Sequence, residues 1–297
     1  MTTAESYRAR FAQLQARYLR QAGVWDWDGF IEWLIHLLST MRPATRRQYR
    51  AAVVFALREQ RMRAMEQLVA RLRTPVQLSA RLPRRTSARK AKSMSKQDWV
   101  VLSAKLSQSP GRWHLLAERW LFWGMCTGLR PAEWQGASLA IDASHGYGFA
   151  LHVANAKHSQ GRAHGIERIL HLRLDRDEIW ALEQFMRLVQ AAYPQAYAGC
   201  RRAVSSTARS LWPKRELRPS LYTARHQFCA DLKASGLLPP DIAALMGHAS
   251  ADTHQTHYGK RRCGRPEGIV VEPDECDVGR VLARMQRNDQ HDPGLQI

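Results

Sequence analysis

The sequence predicts a mainly α protein with a small antiparallel sheet, an α+β chain whose N-terminal domain is all helical. Two observations carry this: apolar residues recur at helical spacing over most of the chain, and the period changes to alternation between residues 138 and 173. The length of 297 residues suits one large or two modest domains, and a hydrophobic fraction of 45% is ordinary for a chain that buries a core. A third observation bears on partners. The formal charge is +19 and the pI ≈ 10.5, so the surface attracts phosphate backbones from a distance. Residues 1–98 carry 20 Lys/Arg against 7 Asp/Glu, which places most of the excess in the first third.

In that first part, Tyr7, Phe11, Leu14, Tyr18 and Leu19 mark one helix. Phe30 to Leu38 form a second apolar stripe, with Asp26 or Asp28 as its N-cap. A third helix begins near Thr45 and carries Tyr49, Val53, Val54, Phe55 and Leu57, with Arg46, Arg47, Arg50 and Arg58 at outward positions. A fourth spans about 62–72. Together they make a helical domain over 1–77 with a basic face, and Trp25, Trp27 and Trp33 fit its core better than a base-stacking role. Residues 78–94 lack periodicity and hold six positive charges and no negative one. They read as a linker, either solvated or lying along phosphates through Arg84, Arg85, Arg89 and Lys90.

Ser95-Lys96-Gln97-Asp98 reads as a capping box that opens a second domain, followed by Trp99, Leu102 and Leu106. Helices are expected at about 96–107 and 111–125. Strands follow at 138–142, 148–155 and 166–173, separated by Gly146/Gly148 and Gly161/Gly165, which predicts a three-stranded meander. Helical patterns return at about 175–192, 220–235, 240–246 and 250–258. The domain is expected to close near 262. Beyond it, 263–297 form a tail with an acidic stretch from Glu272 to Asp277 and a short helix bearing Val278, Val281, Leu282 and Met285.

Several function classes lack support. No stretch approaches the roughly 20 apolar residues of a membrane span, and the N-terminal residues lack the pattern of a signal peptide. The five cysteines include no C-x-x-C pair, so a reducing cytoplasm is expected and a disulfide framework or zinc ribbon is not. There is no G-x-x-x-x-G-K-[ST], H-E-x-x-H or G-x-S-x-G, and clustered carboxylates for a two-metal nuclease are missing. His254 and His257 stand three apart but nothing completes a ligand set, so no metal site is expected. Phosphate chemistry in this chain must lean on side-chain cations, with no cofactor.

Such cations occur in order. Thr127-Gly128-Leu129-Arg130-Pro131-Ala132-Glu133 ends an apolar helix and delivers an arginine with a carboxylate three residues on; Arg130 suits bidentate phosphate binding oriented by Glu133, or a structural pair. Tyr222 and Arg225 share a helix face in Tyr222-Thr223-Ala224-Arg225-His226, capped by Ser220. Leu245-Met246-Gly247-His248 is a helix stop, and Tyr258 follows ten residues after His248.

Arg130 within T-G-L-R-x-x-E, Arg225 followed by His226, the Leu-Met-Gly-His step and Tyr258, in that order, resemble the tyrosine recombinase (phage integrase) family over about residues 95–260. The basic helical N-terminal part looks like that family's core-binding domain, and the later part like its catalytic domain. Lys157, between the second and third expected strands, matches the family's β-hairpin lysine. One position departs: Tyr222 stands where the family's second box usually has histidine. A tyrosine donates to a phosphate oxygen but is a poor base at neutral pH.

The resemblance implies cleavage of double-stranded DNA at specific recombination sites by Tyr258, giving a 3′-phosphotyrosyl link. Arg130, Arg225, His248 and Tyr222 would meet the phosphate, Lys157 would protonate the leaving oxygen, and Glu133 and His226 would support them. It further implies a homo-tetramer on DNA, accessory DNA-bending proteins in some systems, a nucleoid-associated location in the cytoplasm, and a tail helix that docks on a neighbouring protomer, with packing on its own domain as the alternative. Three rivals stay open: an inactive or regulatory relative, a type IB topoisomerase, and a helix-turn-helix regulator built on residues 241–258.

Overall fold

The four apolar stripes of the N-terminal region fold as α1 (Thr3–Ala22), α2 (Trp27–Ser39), α3 (Pro43–Glu59) and α4 (Met65–Arg73). The computed structural model describes residues 3–60, 65–75, 90–142, 148–156, 158, 163–250 and 258–291. The chain divides into two units, Met1–Arg85 and Thr86–Ile297. In the first, Asp26 caps α2 by accepting from the Asp28 and Gly29 amides, and Pro43 opens α3 where its missing N–H costs nothing. Leu14, Phe30, Ile31, Leu34, Val53, Leu57 and Leu72 are buried together, and Trp25, Trp27 and Trp33 pack on that core as expected. Arg47 and Arg58 are exposed as expected, but Arg46 and Arg50 are half-buried, and Arg50 donates to the Thr74 carbonyl after α4 at 3.1 Å. Two of the four arginines on this face are therefore partly tucked against the protein.

The second unit begins before Ser95. Residues 90–94, expected to end the linker, are part of the fold: Lys90 bridges to Arg218, Met94 is buried, and its amide donates to Gln227 at 2.7 Å. Ser95 then caps α5 (Lys96–Ser107), and α6 (His114–Thr127) ends at Gly128, whose φ of 68° is left-handed. A 3-10 turn, Glu133–Gln135, leads into the sheet. Strands β1 (Ser138–Asp142), β2 (Gly148–Ala154) and β3 (Glu167–Leu172) form the expected antiparallel meander, and β4 (Val271–Pro273) adds a fourth strand beside β3. Leu151 faces Leu170 and Val153 faces Arg168, so the inner side of the sheet carries an arginine among aliphatics.

Four helices follow: α7 (Arg176–Ala191), with an Asp175/Glu178 capping box, α8 (Tyr193–Leu211), α9 (Leu221–Ala234) and α10 (Pro239–Met246). The last, α11 (Glu275–His291), follows β4. Helix α9 runs through the centre, packed by α6, α8 and α10, and its residues from Thr223 to Leu232 are almost all buried. Trp120, Trp134, Phe185, Phe228, Leu245 and Met246 share one core with the inner faces of β2 and β3.

Two elements, α8 and β4, differ from the sequence expectation. Helix α8 was not expected, because its inward positions are Ala196, Gly199, Cys200, Ala203, Val204, Thr207 and Ala208, which give a weak apolar signal. Strand β4 is three residues long and pairs with a strand about a hundred positions earlier. The tail helix α11 packs on α10 of its own chain, with Val281 buried against Ala243 and Ala244. Most of the helix expected at 250–258 lies outside the described residues.

Gly128 is a point at which the fold is testable. A Cβ there would overlap the Phe228 ring, and its backbone is left-handed. Gly128→Ala is expected to lower unfolding free energy by about 2–4 kcal/mol in urea titrations. Gly136→Ala, where a Cβ meets open space, is expected to stay within about 0.5 kcal/mol. Equal effects of the two would contradict this packing.

Candidate active site

The left-handed turn at Gly128 directs the chain away from α6, so that Arg130 turns inward and Glu133 sits on the 3-10 turn behind it. Both are buried. The Glu133 carboxylate accepts from the Arg130 amide at 2.7 Å and from Arg130 Nη1 at 2.5 Å, closing a ring that fixes the arginine's direction. Its other contacts come from across the fold. Arg168 Nη2, from β3, donates to Oε2 at 2.9 Å, and Arg225 Nη1, from α9, lies 3.7 Å from the same oxygen. The Ala156 amide donates to Oε1 at 3.4 Å. Burial alone would favour the neutral acid, but Arg168, Arg225 and Arg130 together outweigh it and hold Glu133 well below the usual carboxylate range.

Three buried guanidiniums thus share one carboxylate, and the cluster is left with two more positive than negative charges. Arg168 is fully occupied by structure: Nε donates to the Leu245 carbonyl at 3.0 Å and Nη1 to Asn155 Oδ1 at 2.5 Å. Arg225 donates Nη1 to the Gly128 carbonyl at 2.6 Å, and Nη2 to the Met246 carbonyl and to His248 Nε2, the latter at 3.2 Å. Arginine can only donate, so that contact makes His248 Nε2 an acceptor. Arg130 Nε is buried without a hydrogen-bond partner among the described residues, a donor position that an anionic oxygen would fill.

Against this cationic floor lie two phenols. The hydroxyls of Tyr222, at the start of α9, and Tyr258 are 3.0 Å apart, and Arg225 Nε approaches the Tyr258 oxygen at 3.5 Å. The Arg225 guanidinium is also 5.5 Å from the Tyr258 ring centre, and the His248 ring is 4.9 Å from it. His226 lies beside both phenols, with ring centres 5.1 Å from Tyr222 and 4.9 Å from Tyr258. Burial pushes Tyr222 up to about 12. For Tyr258 burial pushes the same way, but Arg225, the hydrogen bond with Tyr222 and Arg130 outweigh it, so its phenol is more acidic than an ordinary tyrosine. Burial, with Lys92, Arg225 and Lys90 nearby, lowers His226 to about 4 and keeps it neutral at physiological pH.

The structure therefore brings together Arg130, Glu133, Tyr222, Arg225, His226, His248 and Tyr258. Lys157, Arg84, Arg85 and Arg89 lie outside the described residues, as do His254 and His257; Ala156, next to Lys157, is anchored on Glu133. Arg46, Arg47 and Arg50 belong to the other unit. Sequence reasoning missed Arg168 and Asn155. The available signal was Arg168 itself, which shares a strand face with Leu170 and Leu172 in an otherwise apolar alternation.

Beside the start of α9 is a cavity of about 410 Å³ lined by Lys90, Arg201, Arg202, Arg209 and Arg218, with Glu216 as its one carboxylate. Arg218 is committed to the Trp212 and Pro213 carbonyls, while Arg201, Arg202 and Arg209 project from the exposed face of α8. Of the rival helix-turn-helix at 241–258, only the first helix is described: Ile242 to Met246 are buried among α9, α11 and the sheet, and most of the second helix lies outside the described residues. Among the described residues no helix is long and apolar enough to cross a membrane.

No family model matches the chain, and no curated protein matches it. Among solved structures it is similar to the Tn1549 transposon integrase in complex with a circular intermediate DNA, at 13% identity, covering 82% of this chain and 77% of that one, with a TM-score of 0.39.

The charge cluster makes a direct prediction. Glu133→Ala strands three buried guanidiniums and is expected to cost about 3–5 kcal/mol of stability. Glu183→Ala, which removes only an exposed partner of Arg187, should cost under about 0.5 kcal/mol. Chemical denaturation of both variants checks this, and a mild Glu133→Ala would contradict the account of the cluster.

Proposed function

We propose that this chain is a site-specific DNA recombinase of the tyrosine type, which cleaves and rejoins double-stranded DNA through a 3′-phosphotyrosyl intermediate with no need of metal or ATP. The observation that carries the reading is the meeting of Tyr258 with Arg225, His248 and Arg130 over a buried excess of positive charge, although these residues come from separate stretches of sequence. They are the residues on which the resemblance to the tyrosine recombinase family rests.

In the proposed reaction Tyr258 Oη attacks the scissile phosphorus. The Oη–P bond forms, the P–O5′ bond breaks, the phenol proton passes to water, and the departing 5′-oxygen takes a proton from Lys157. Negative charge grows on the non-bridging oxygens, which Arg130, Arg225 and His248 would surround, with the unpartnered Arg130 Nε as a donor already in place. Because the phosphotyrosyl bond preserves the energy of the phosphodiester, the 5′-hydroxyl of another strand reverses the steps. Exchange between duplexes then calls for four protomers around a junction, with accessory DNA-bending proteins where the site demands them. The helical domain over 1–77, the basic segment 78–94 and the catalytic part over 95–262 would share the duplex, with Arg46, Arg47, Arg84, Arg85, Arg89 and Lys90 on phosphates, while Arg50 stays on the Thr74 carbonyl. This role would place the protein with the nucleoid.

Incubation in EDTA with nicked suicide duplexes from the flanking native DNA is expected to give an SDS-resistant protein–DNA adduct. Tyr258→Phe should abolish it, and Arg130→Lys and Arg225→Lys should slow it by about a hundredfold or more. Failure of the wild-type protein to form an adduct on any such duplex would overturn the reading. Strand exchange between two duplexes, rather than relaxation alone, separates a recombinase from a topoisomerase.

The basic cavity supplies a second test of the DNA partner. Replacing Arg201, Arg202 and Arg209 together by Gln is expected to weaken binding to any duplex. The slope of log K against log salt should flatten by about 0.9 for each phosphate that the triple variant no longer neutralises. An unchanged slope would remove this face from the DNA path.

A further inference from the structure

Tyr222 stands where the resembled family usually has histidine, and its nearest polar partner is the nucleophile itself. We propose that Tyr222 is a positioning residue for Tyr258: its hydroxyl donates a hydrogen bond to Tyr258 Oη, holding that oxygen in place and stabilising the negative charge it carries during attack and release. The proposal rests on the phosphotyrosyl reading and assigns Tyr222 to the nucleophile rather than to the phosphate.

The direction of the bond follows from the surroundings. The two oxygens are 3.0 Å apart, a distance at which one hydroxyl donates and the other accepts. Arg225 Nε, which can only donate, approaches the Tyr258 oxygen and not that of Tyr222. The groups facing Tyr258 are Tyr222, Arg225 and His226 from α9, His248 after α10, and Arg130 from the loop after α6 acting through space. None carries negative charge, so developing charge is favoured on the Tyr258 oxygen and Tyr222 is left as donor. Tyr222 and Arg225 lie one helical turn apart, which lets both reach the same atom.

Burial raises the Tyr222 phenol to about 12, so it keeps its proton at neutral pH and remains a donor throughout. This separates it from a histidine, which exchanges protons in that range. During cleavage Tyr222 neither takes nor gives up a proton; the Tyr258 proton goes to water as the Oη–P bond forms. During rejoining the Oη–P bond breaks and the same hydrogen bond receives the leaving phenolate. Cleavage and rejoining pass through the same transition state, so the hydrogen bond serves both directions.

The test uses the full chain and Tyr222→Phe, which removes the hydroxyl but keeps the ring that packs on His226. Two readouts are taken: the rate of adduct formation against pH with suicide duplexes, and the titration of ¹³C-labelled tyrosine ring carbons by NMR without DNA, with Tyr258→Phe identifying the Tyr258 signal. Tyr222→Phe is expected to slow adduct formation by about 10- to 100-fold and to move both the pH midpoint of the rate and the Tyr258 titration upward. A slower rate with an unmoved midpoint and titration would overturn the proposal and put Tyr222 on the phosphate. An unchanged rate and titration would overturn it outright. If the wild-type protein forms no adduct, the proposed function fails, while the NMR titration still decides whether Tyr222 controls the Tyr258 oxygen.

Discussion

Three guanidinium groups cannot lie together in a protein interior without a counter-charge, and in this chain Glu133 supplies it for Arg130, Arg168 and Arg225 at once. Removing charges from water costs several kcal/mol each, and only close, hydrogen-bonded pairing repays it. That requirement dictates much of the second unit's geometry. The 3-10 turn must hold Glu133 behind Arg130, β3 must present Arg168 on its inner face, and α9 must place Arg225 within reach of both. The end of α10 is tied in as well, because the Leu245 and Met246 carbonyls accept from Arg168 and Arg225. These are the carbonyls a helix C-terminus leaves unpaired, so the arginines serve as its cap while the negative end of the helix offsets part of their charge.

The arrangement separates two kinds of arginine that look alike in the sequence. Arg168 spends its donors on Glu133, Asn155 and Leu245 and is wholly enclosed, which makes it a brace. Arg130 retains a buried Nε without a partner, and Arg225 reaches toward the Tyr258 oxygen. One carboxylate for three cations leaves the cluster short of negative charge, and a bound phosphodiester would supply it. The site is thus organised before any ligand arrives, at a cost in stability carried by the large apolar core around α9.

How far this was legible in the sequence depends on the range of the signal. Helix caps at Asp26, Ser95, Asp175 and Ser220 are local, and period changes mark β1 to β3, so the mainly α fold with a small antiparallel sheet could be read directly. Helix α8 escaped because close packing on Trp113, whose ring would meet any Cβ at Gly199, demands small residues on its inner face, and small residues carry little periodic contrast. Strand β4 depends on a distant partner. Charge was legible only as a sum: counting could not show that Arg50 and Arg218 are committed to backbone carbonyls while Arg201 and Arg209 face outward. The spacing of Tyr222 and Arg225 placed them on one face, but nothing local could say that Tyr258 would meet both.

That meeting turns on competing terms in the acidity of Tyr258. A half-buried phenol ordinarily becomes harder to ionise, because the anion loses water; Tyr222, in the same pocket, behaves in this way. Tyr258 departs from it because the Arg225 cation stands against its ring and oxygen, because Tyr222 can donate to it, and because Arg130 adds its field. The two tyrosines therefore diverge through position alone: one is made harder to ionise, the other more acidic than usual. A pair of like groups driven apart in acidity is a common way for a site to assign separate roles to them. The resting charge excess contributes to this bias, and a phosphate entering the pocket would cancel part of it. Under the proposed reaction, Tyr258 would then depend increasingly on its direct partners, Tyr222 and Arg225, as its oxygen takes up charge.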